Sequence, residues 1–521
     1  MKKYKKILFF VFTAFFGCKN YDDLVKNPNQ PTSVPPALLL TGILKDMTDA
    51  NAWDGKQGSM SAAQFYASTY DYYGTNNYDQ TPFIKTEDNF KYFFTLENIE
   101  RMDIESKSLG AINPYSSLGK FLRAYYFNLM SQKMGDIPMS KALGGSSNTS
   151  PVYDSQKDVY LKILQYLEDA NSNMSQLIAT NKGSFSGDIF LGSNLSQWQK
   201  VVNSFTLRVL ISLSKKQSDP DLQISSKFAN IINNPSKYPL MTGISDNLQE
   251  IYNASFNPYP KNPTSQGRDA QRENIASTFL DLTTQLNDPR TFIAATPAPA
   301  QLTAGKTYQD FSAYVGAPAG LSMSDLGNNA QAGKYSYVNA LRYYSTFDGS
   351  TAEPSMIIGY PEMCLNIAEG INRGWAIGVA SDWYNKGITA SMSIYGIKDG
   401  SSITVANNLS TVTYGIINNI SVTNYLAQPS VVYKGGTSGL TQILQQKYIA
   451  FWQNSNWEAF FNQRRTGVPS YSVGPGTGNG GNVALRWQYP TAESSSNAVN
   501  YGAAVSKLGG DNLNSVMWIL Q

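Results

Sequence analysis

Apolar residues recur with the period of an α-helix over much of this chain, and that restricts its fold more than any other feature. Trp198, Val201, Val202, Phe205 and Val209 share one face of a segment that runs to Asp219-Pro220. Spacings of i, i+3, i+4 and i+7 put side chains on one stripe of a helix, and the stripe must be covered by something else. Ser196 and Gln199 fit a capping box at its start. The same period runs through Leu40, Ile43, Leu44 and Met47, behind Pro36 as a first-turn residue. It runs through Leu118, Phe121, Leu122, Tyr125 and Leu129, with a stop expected near Gly135 and Pro138. Tyr160, Ile163, Leu164 and Leu167 form a further stripe, as do Ile224, Phe228, Ile231 and Ile232. Ile275, Phe279, Leu282 and Leu286 read as another helix. So do Cys364, Ile367, Ala368, Ile371 and Trp375 behind Pro361, then Tyr384, Ile388 and Met392. Leu440, Ile443 and Leu444 begin one late helix, and Trp457, Phe460, Phe461 and Arg464 mark the next.

These segments fall into four pairs: 115–134 with 156–179, 196–217 with 222–233, 361–377 with 380–395, and 440–453 with 456–464. No fixed period links them, and the usual signature of a 34-residue helical repeat is absent. The fold class is therefore mainly α, with paired helices as its scaffold. Residues 51–95, 238–267, 295–355, 400–435 and 470–500 are rich in Gly, Ser, Thr, Asn, Pro and Tyr. Loops of that length are functional or hold short strands. The glycine-rich run 474–481 lacks the Lys-Ser/Thr ending of a phosphate-binding loop, so no phosphate role follows. Cys364, on an apolar face, reads as a small buried hydrophobe.

The opening segment has its own logic. Residues 1–6 are basic, residues 7–16 (ILFFVFTAFF) are apolar, and Gly17 precedes Cys18. Ten apolar residues are too few to span a bilayer of ~30 Å, so residues 1–17 read as a secretory signal. Cys18 stands where a bacterial lipoprotein signal places its acylated thiol, although Phe15 occupies a position that is usually aliphatic. Two or more acyl chains anchor stably, at ~0.8 kcal/mol per buried CH₂. Asp22 and Asp23 resemble the acidic tether that directs such lipoproteins to the cell surface. Residues 18–35 are expected to be a lipidated tether, and residues 36–521 a single α-rich domain.

Composition removes several functions. The chain has no histidine, which excludes Ser-His-Asp and Cys-His catalysis and His-ligated zinc. Two cysteines, Cys18 and Cys364, make neither a disulfide framework nor a Cys-rich metal site. Net charge is +3, and setting aside Lys2, Lys3, Lys5 and Lys6 leaves 3 − 4 = −1. So nearly neutral a body has no electrostatic footprint for nucleic acid.

Read together, the segments are similar to those of SusD/RagB-type outer-membrane nutrient-binding lipoproteins of Bacteroidetes-type bacteria, in the SusD-like branch. NPNQPTSVPPALLLTGIL (27–44) resembles the family's opening motif, and LRAYYFNLMSQKMGDIPMSKAL (122–143) its helix followed by Gly-Asp-x-Pro. WQKVVNSFTLRVLISLSKK (198–216), NDPRT (287–291), YPEMCLNIAEGINRGW (360–375), WYNKGITASMSIYGI (383–397), QKYIAFW (446–452), FFNQRRTGVPSY (460–471) and RWQYPTAESSSNAVNY (486–501) follow in the family's order. The resemblance implies tetratricopeptide-like helical hairpins scaffolding an irregular loop-rich part with few short strands. It implies no enzymatic activity. It implies a surface lid on a SusC-like TonB-dependent transporter, capturing oligosaccharides or, in some branches, peptides.

Sugar recognition combines an aromatic ring face with hydrogen bonds to hydroxyls. Residues 67–80 gather Tyr70, Tyr72, Tyr73 and Tyr78 near Asn76, Asn77 and Asp79, with Trp53 upstream. Residues 341–349 offer Tyr343 and Tyr344. Trp53, Tyr72, Tyr73, Tyr78, Tyr343 and Tyr344 are the candidate ligand platforms, against the alternative that they are packing rings. Arg464 and Arg465 could clamp an anion, but an internal salt bridge suits a framework motif better. Glu362 and Glu369, seven apart, could face the same way. A glycoside hydrolase needs two carboxylates and no histidine, yet no catalytic signature appears. No cofactor is expected beyond the lipid on Cys18, and no EF-hand spacing supports Ca²⁺. Replacing Cys18 with Ala is expected to free the protein from membranes; full sedimentation of that variant with outer membranes after high-salt washing would refute the anchor.

Overall fold

The computed structural model describes residues 33–49, 58–70, 75, 78 and 82–521. Cys18, the signal segment and most of the tether lie outside the described residues. Ten helices carry the scaffold: α1 (Pro36–Asp49), α2 (Tyr92–Glu105), α3 (Pro114–Met134), α4 (Gln156–Ala179), α5 (Leu195–Ser212), α6 (Ile224–Asn233), α7 (Tyr360–Asn372), α8 (Ala380–Ile394), α9 (Gly436–Ala450) and α10 (Glu458–Thr466). The fold class is as expected: helices dominate, and strands among the described residues come in three short antiparallel pairs. These are Tyr66–Ser68 with Glu273–Ile275, Leu248–Glu250 with Ser355–Ile358, and Ile403–Ala406 with Thr413–Ile417. Among the described residues no helix is long and apolar enough to cross a membrane.

The four helix pairs form where periodicity places them. α3 packs on α4, α7 on α8, α5 on both α4 and α7, and α9 on α7. The stripe residues Leu40, Ile43, Leu44, Met47, Leu118, Phe121 and Leu122 are all fully buried. α3 ends at Gly135, whose φ of 93° favours glycine. Two boundaries differ. Asn194, not Ser196, caps α5: its side chain accepts the N–H groups of Ser196 and Gln197, while Gln199 turns inward to donate to Asn171. Ile275 belongs to a strand, and the following helix starts at Ser277.

Buried ion pairs fix how these helices meet. Glu369 of α7 is fully buried and accepts from Lys447 of α9 at 2.6 Å, Arg465 of α10 at 2.6 Å and Arg373 at 2.9 Å. Arg465 also donates to Ser214, just beyond α5. Arg208 of α5 forks onto Glu362 of α7 and onto the carbonyl of Ile357. Arg465 thus makes the internal salt bridge that sequence favours. Arg464 instead donates to the carbonyls of Gln132 and Leu485, tying α10 to α3.

The irregular half is attached by similar means. Arg290 pairs with Asp288 at 2.6 Å and reaches Ser391 of α8 and Gln446 of α9. In the glycine-rich run, a Cβ on Gly476 would meet the Leu321 carbonyl oxygen at 1.7 Å, so only glycine lets these two loops touch. Gly476 is thus a packing position.

Burial by itself pushes the Glu369 carboxyl up, but Arg465, Lys447 and Arg373 together hold it well below the usual carboxylate range. A depressed folded-state pKa means stability that is present above the unfolded value of ~4.3 and is lost as pH falls below it. Glu369→Gln leaves buried cations uncompensated and is expected to cost roughly 3–5 kcal/mol. Urea titrations should show this loss at pH 7, with a shallower acid dependence below about pH 4.3 in the variant than in the wild type. Equal stabilities at pH 7 would refute the role given to this node.

Candidate functional site

The loop that leaves strand Leu248–Glu250 builds an unusual surface. Asn253 accepts the backbone N–H of Ser255 at 3.0 Å and of Phe256 at 2.8 Å, and its own N–H donates to the Asn257 carbonyl at 2.9 Å. This Asx turn closes a tight tip. Behind it, Tyr252 donates its hydroxyl to Ser355 at 2.7 Å, and Asn257 donates to Glu250 at 2.9 Å. The result is a held loop with Phe256 at its tip, 91% exposed, and Ile251 71% exposed. Scattered apolar residues on a surface are ordinary; Phe256 and Ile251 are set apart by lying together beside a concavity.

That concavity has a volume of about 470 Å³. The 250–260 loop forms one wall. α1 forms the other with Thr41, Lys45 and Thr48, joined by Ile189 and Phe190. The Asp188 carboxylate holds the second wall in place, accepting from the N–H groups of Phe190 and Ser193 and from the Trp198 indole at 2.9 Å. Thr41 donates to the Gly187 carbonyl at 2.8 Å and fastens α1 to the same turn. Of the lining residues, Lys45 and Glu250 carry charge, one of each sign. The described lining residues combine apolar side chains with hydroxyls and an amide, and carry one charge of each sign. Such a surface suits a neutral ligand with an apolar face and many hydroxyls.

Three of the tyrosines singled out in the sequence are elsewhere. Tyr78, Tyr343 and Tyr344 are buried, so they offer no platform to a ligand in this structure. Each hydroxyl has an internal partner. Tyr78 donates to the Ala62 carbonyl at 2.8 Å. Tyr343 donates to Glu353 at 2.7 Å and accepts from the Trp452 indole at 2.8 Å. Tyr344 accepts from the buried Lys261 ammonium at 3.4 Å. Trp53, Tyr72 and Tyr73 lie outside the described residues; α1, which walls the cleft, ends just before the segment that carries Trp53.

The 341–349 stretch is tied by its backbone to the 250–260 loop, at Phe347. Phe347 is 44% exposed, and its carbonyl accepts the Tyr259 N–H at 2.7 Å, which docks its loop against the cleft wall. Gly349 allows that approach: its φ is 67°, and a Cβ there would lie 2.7 Å from the Tyr259 ring. Phe256 escapes a sequence reading because a single Phe in a loop shows no period. Its signal is the flanking pair Asn253 and Asn257, turn formers that isolate the ring at a tip.

Comparison with known proteins bears on the chain as a whole. A family model named SusD-like_2, described as "Starch-binding associating with outer membrane", matches residues 28–490. The crystal structure of a SusD homologue from Bacteroides fragilis NCTC 9343 superposes with a TM-score of 0.79 at 30% identity, covering 94% of this chain and 100% of that one. A second SusD homologue from the same organism gives 0.75 at 30% identity, with the same coverage of both chains. A chitin-binding SusD homologue from Flavobacterium johnsoniae shares the fold, with a TM-score of 0.69 at 18% identity over 92% of this chain and 98% of that one. No curated protein matches the sequence.

Phe256→Ala is expected to leave stability within about 0.5 kcal/mol of wild type, because the ring covers nothing. Tyr343→Phe strips a partner from Glu353 and from Trp452, and is expected to cost about 1–3 kcal/mol. Denaturant midpoints compared at constant m check both; the reverse order would exchange the assignments of platform and core.

Proposed function

This chain belongs to the SusD-like family of outer-membrane-associated proteins, and on that premise we propose that it captures oligosaccharides at the cell surface. In this reading it is a lipoprotein anchored through Cys18. It works as the lid of a SusC-like TonB-dependent transporter, delivering its ligand to the barrel without altering it. The lid and the transporter come from the family resemblance. Capture is supported by the chain's own geometry, above all by Phe256 standing exposed at the rim of the cleft.

The chemistry of the cleft favours a sugar. The CH face of a pyranose ring is apolar and matches a phenyl face, while its edge presents hydroxyls to Thr, Asn and backbone groups. The opposite charges of Lys45 and Glu250 give no net field to draw in an anionic or cationic ligand. The site needs no acid–base pair for this task, and the chain has no imidazole to supply one.

Calorimetry of residues 19–521 against panels of neutral oligosaccharides and of peptides tests the reading. An oligosaccharide series is expected to bind, and Phe256→Ala to weaken it about tenfold, the equivalent of ~1.4 kcal/mol. Binding of peptides alone, or sugar binding indifferent to Phe256, would overturn it.

A further inference from the structure

The surface around Ser33, where the chain enters the described body, is apolar. Ser33 donates its hydroxyl to Glu105 at 2.8 Å, in the last turn of α2, so the tether meets the body at the corner between α2 and α3. Ile104, next to that acid, is 50% exposed; Leu109 is 59% exposed, and Ile112 is exposed as well. The three fall within nine consecutive residues. Their turn is closed on itself: the Leu109 N–H donates to the Ser106 carbonyl, the Gly110 N–H to the Lys107 carbonyl, and the Asn113 side chain to the Ser106 and Gly110 carbonyls at 3.2 Å and 2.9 Å. The backbone polar groups are thus satisfied internally while the apolar side chains face out.

Charge at this corner fits the same picture. Glu105 accepts from Ser33 and pairs with Arg101. Glu100 and Asp103 both pair with Arg123 of α3, at 2.8 Å and 2.7 Å. The acids are therefore engaged, and the exposed Lys107, between Ile104 and Leu109 in sequence, adds a cation. Apolar side chains beside a lysine, with neighbouring carboxylates neutralised, suit the boundary of a bilayer: the apolar groups enter the acyl edge and the ammonium stays among the phosphates. The length of chain outside the described body points to the same partner. Residues 18–32 separate Cys18 from Ser33, and fifteen residues reach at most about 50 Å when fully extended. An acyl anchor on Cys18 therefore holds this corner close to lipid.

We propose that the α2–α3 corner docks on the bilayer, with Ile104, Leu109 and Ile112 resting in the headgroup boundary and fixing the orientation of the anchored body. The inference rests on the Cys18 anchor of the proposed function and adds a second contact to it. It also sets the stance of the cleft. α1 starts beside this corner, and Thr41, Lys45 and Thr48 line the cleft further along it, about 8–18 Å from its first residue at 1.5 Å per residue.

The test uses the full acylated chain in phosphatidylcholine–phosphatidylglycerol vesicles that carry a spin-labelled lipid, with an environment-sensitive fluorophore on Leu109→Cys or on Ile377→Cys. Ile377, exposed in the turn between α7 and α8, is the comparison site. Labelling is selective, because Cys18 is acylated on this reading and Cys364 is buried, with burial pushing its thiol up to about 12. Lipid quenching is expected to be several-fold stronger at 109 than at 377. Adding Ile104→Asp and Ile112→Asp should bring it down to the level at 377 while the protein still sediments with the vesicles. Equal quenching at the two sites in a protein that sediments overturns the inference and leaves the anchor standing, and so does strong quenching at 109 that survives both aspartates. A blue-shifted label at 109 already present in soluble residues 19–521, with no lipid quenching in vesicles, means that the tether or a second copy covers the corner, and overturns it too. A full chain that does not sediment with vesicles removes the anchor and the docking together.

Discussion

One carboxylate holds the scaffold in register. Glu369 lies on the central helix α7 and collects a lysine from α9, an arginine from α10 and an arginine of its own segment. An isolated buried acid would be strongly unfavourable, and the two buried cations Lys447 and Arg465 without it would be worse. The arrangement therefore exists only when the helices converge at one geometry. Apolar stripes bring helices together with little preference for how far one slides along another, whereas ion pairs tolerate almost no sliding. Arg208 with Glu362 repeats the device between α5 and α7, about two helical turns away.

The irregular half depends on that register. Arg290 spans from Asp288 to α8 and α9 at once, so the loop it belongs to is set by where those helices stand. Tyr343 joins the 341–351 loop to Trp452, just past α9, through its hydroxyl. The cleft walls are hung from these points. One wall follows strand Leu248–Glu250, which pairs with the strand that runs into α7. The other is α1, locked to the 187–193 turn and through Asp188 to Trp198 of α5. The buried pairs that hold α5 against α7 therefore also hold the elements from which both walls start.

Most of the helical frame is legible in the sequence because period 3.6 is a local signal. The stripe from Trp198 to Val209 needs no knowledge of its partner to be recognised. Errors arise where local signals overlap: Ser196 resembles a cap, but Asn194 lies two residues earlier and takes the role, and Ile275 continues a helical stripe while belonging to a three-residue strand. The site is harder to read. Tyrosine suits half-wet surfaces, so a Tyr-rich segment looks like a platform, yet Tyr343 finds its indole donor 109 residues away. Burial decided by partners so distant leaves no trace in neighbouring residues. Phe256 is illegible for the opposite reason: nothing distant covers it, and exposure has no period.

The distribution of charge explains how such a protein binds and still lets go. Its strongest interactions, the pairs around Glu369, Glu362, Asp288 and Glu353, are all internal and already satisfied. The cleft beside Phe256 is lined by rings, hydroxyls, an amide and, among the described residues, one charge of each sign. Groups of that kind contribute modestly each, around 1 kcal/mol for a net hydrogen bond, and they do not leave a buried ion unpaired when the ligand departs. On the capture reading, affinity would come from several such contacts added together. A rigid frame limits the entropy lost on binding, because the tip that carries Phe256 is held by its own backbone before any ligand arrives.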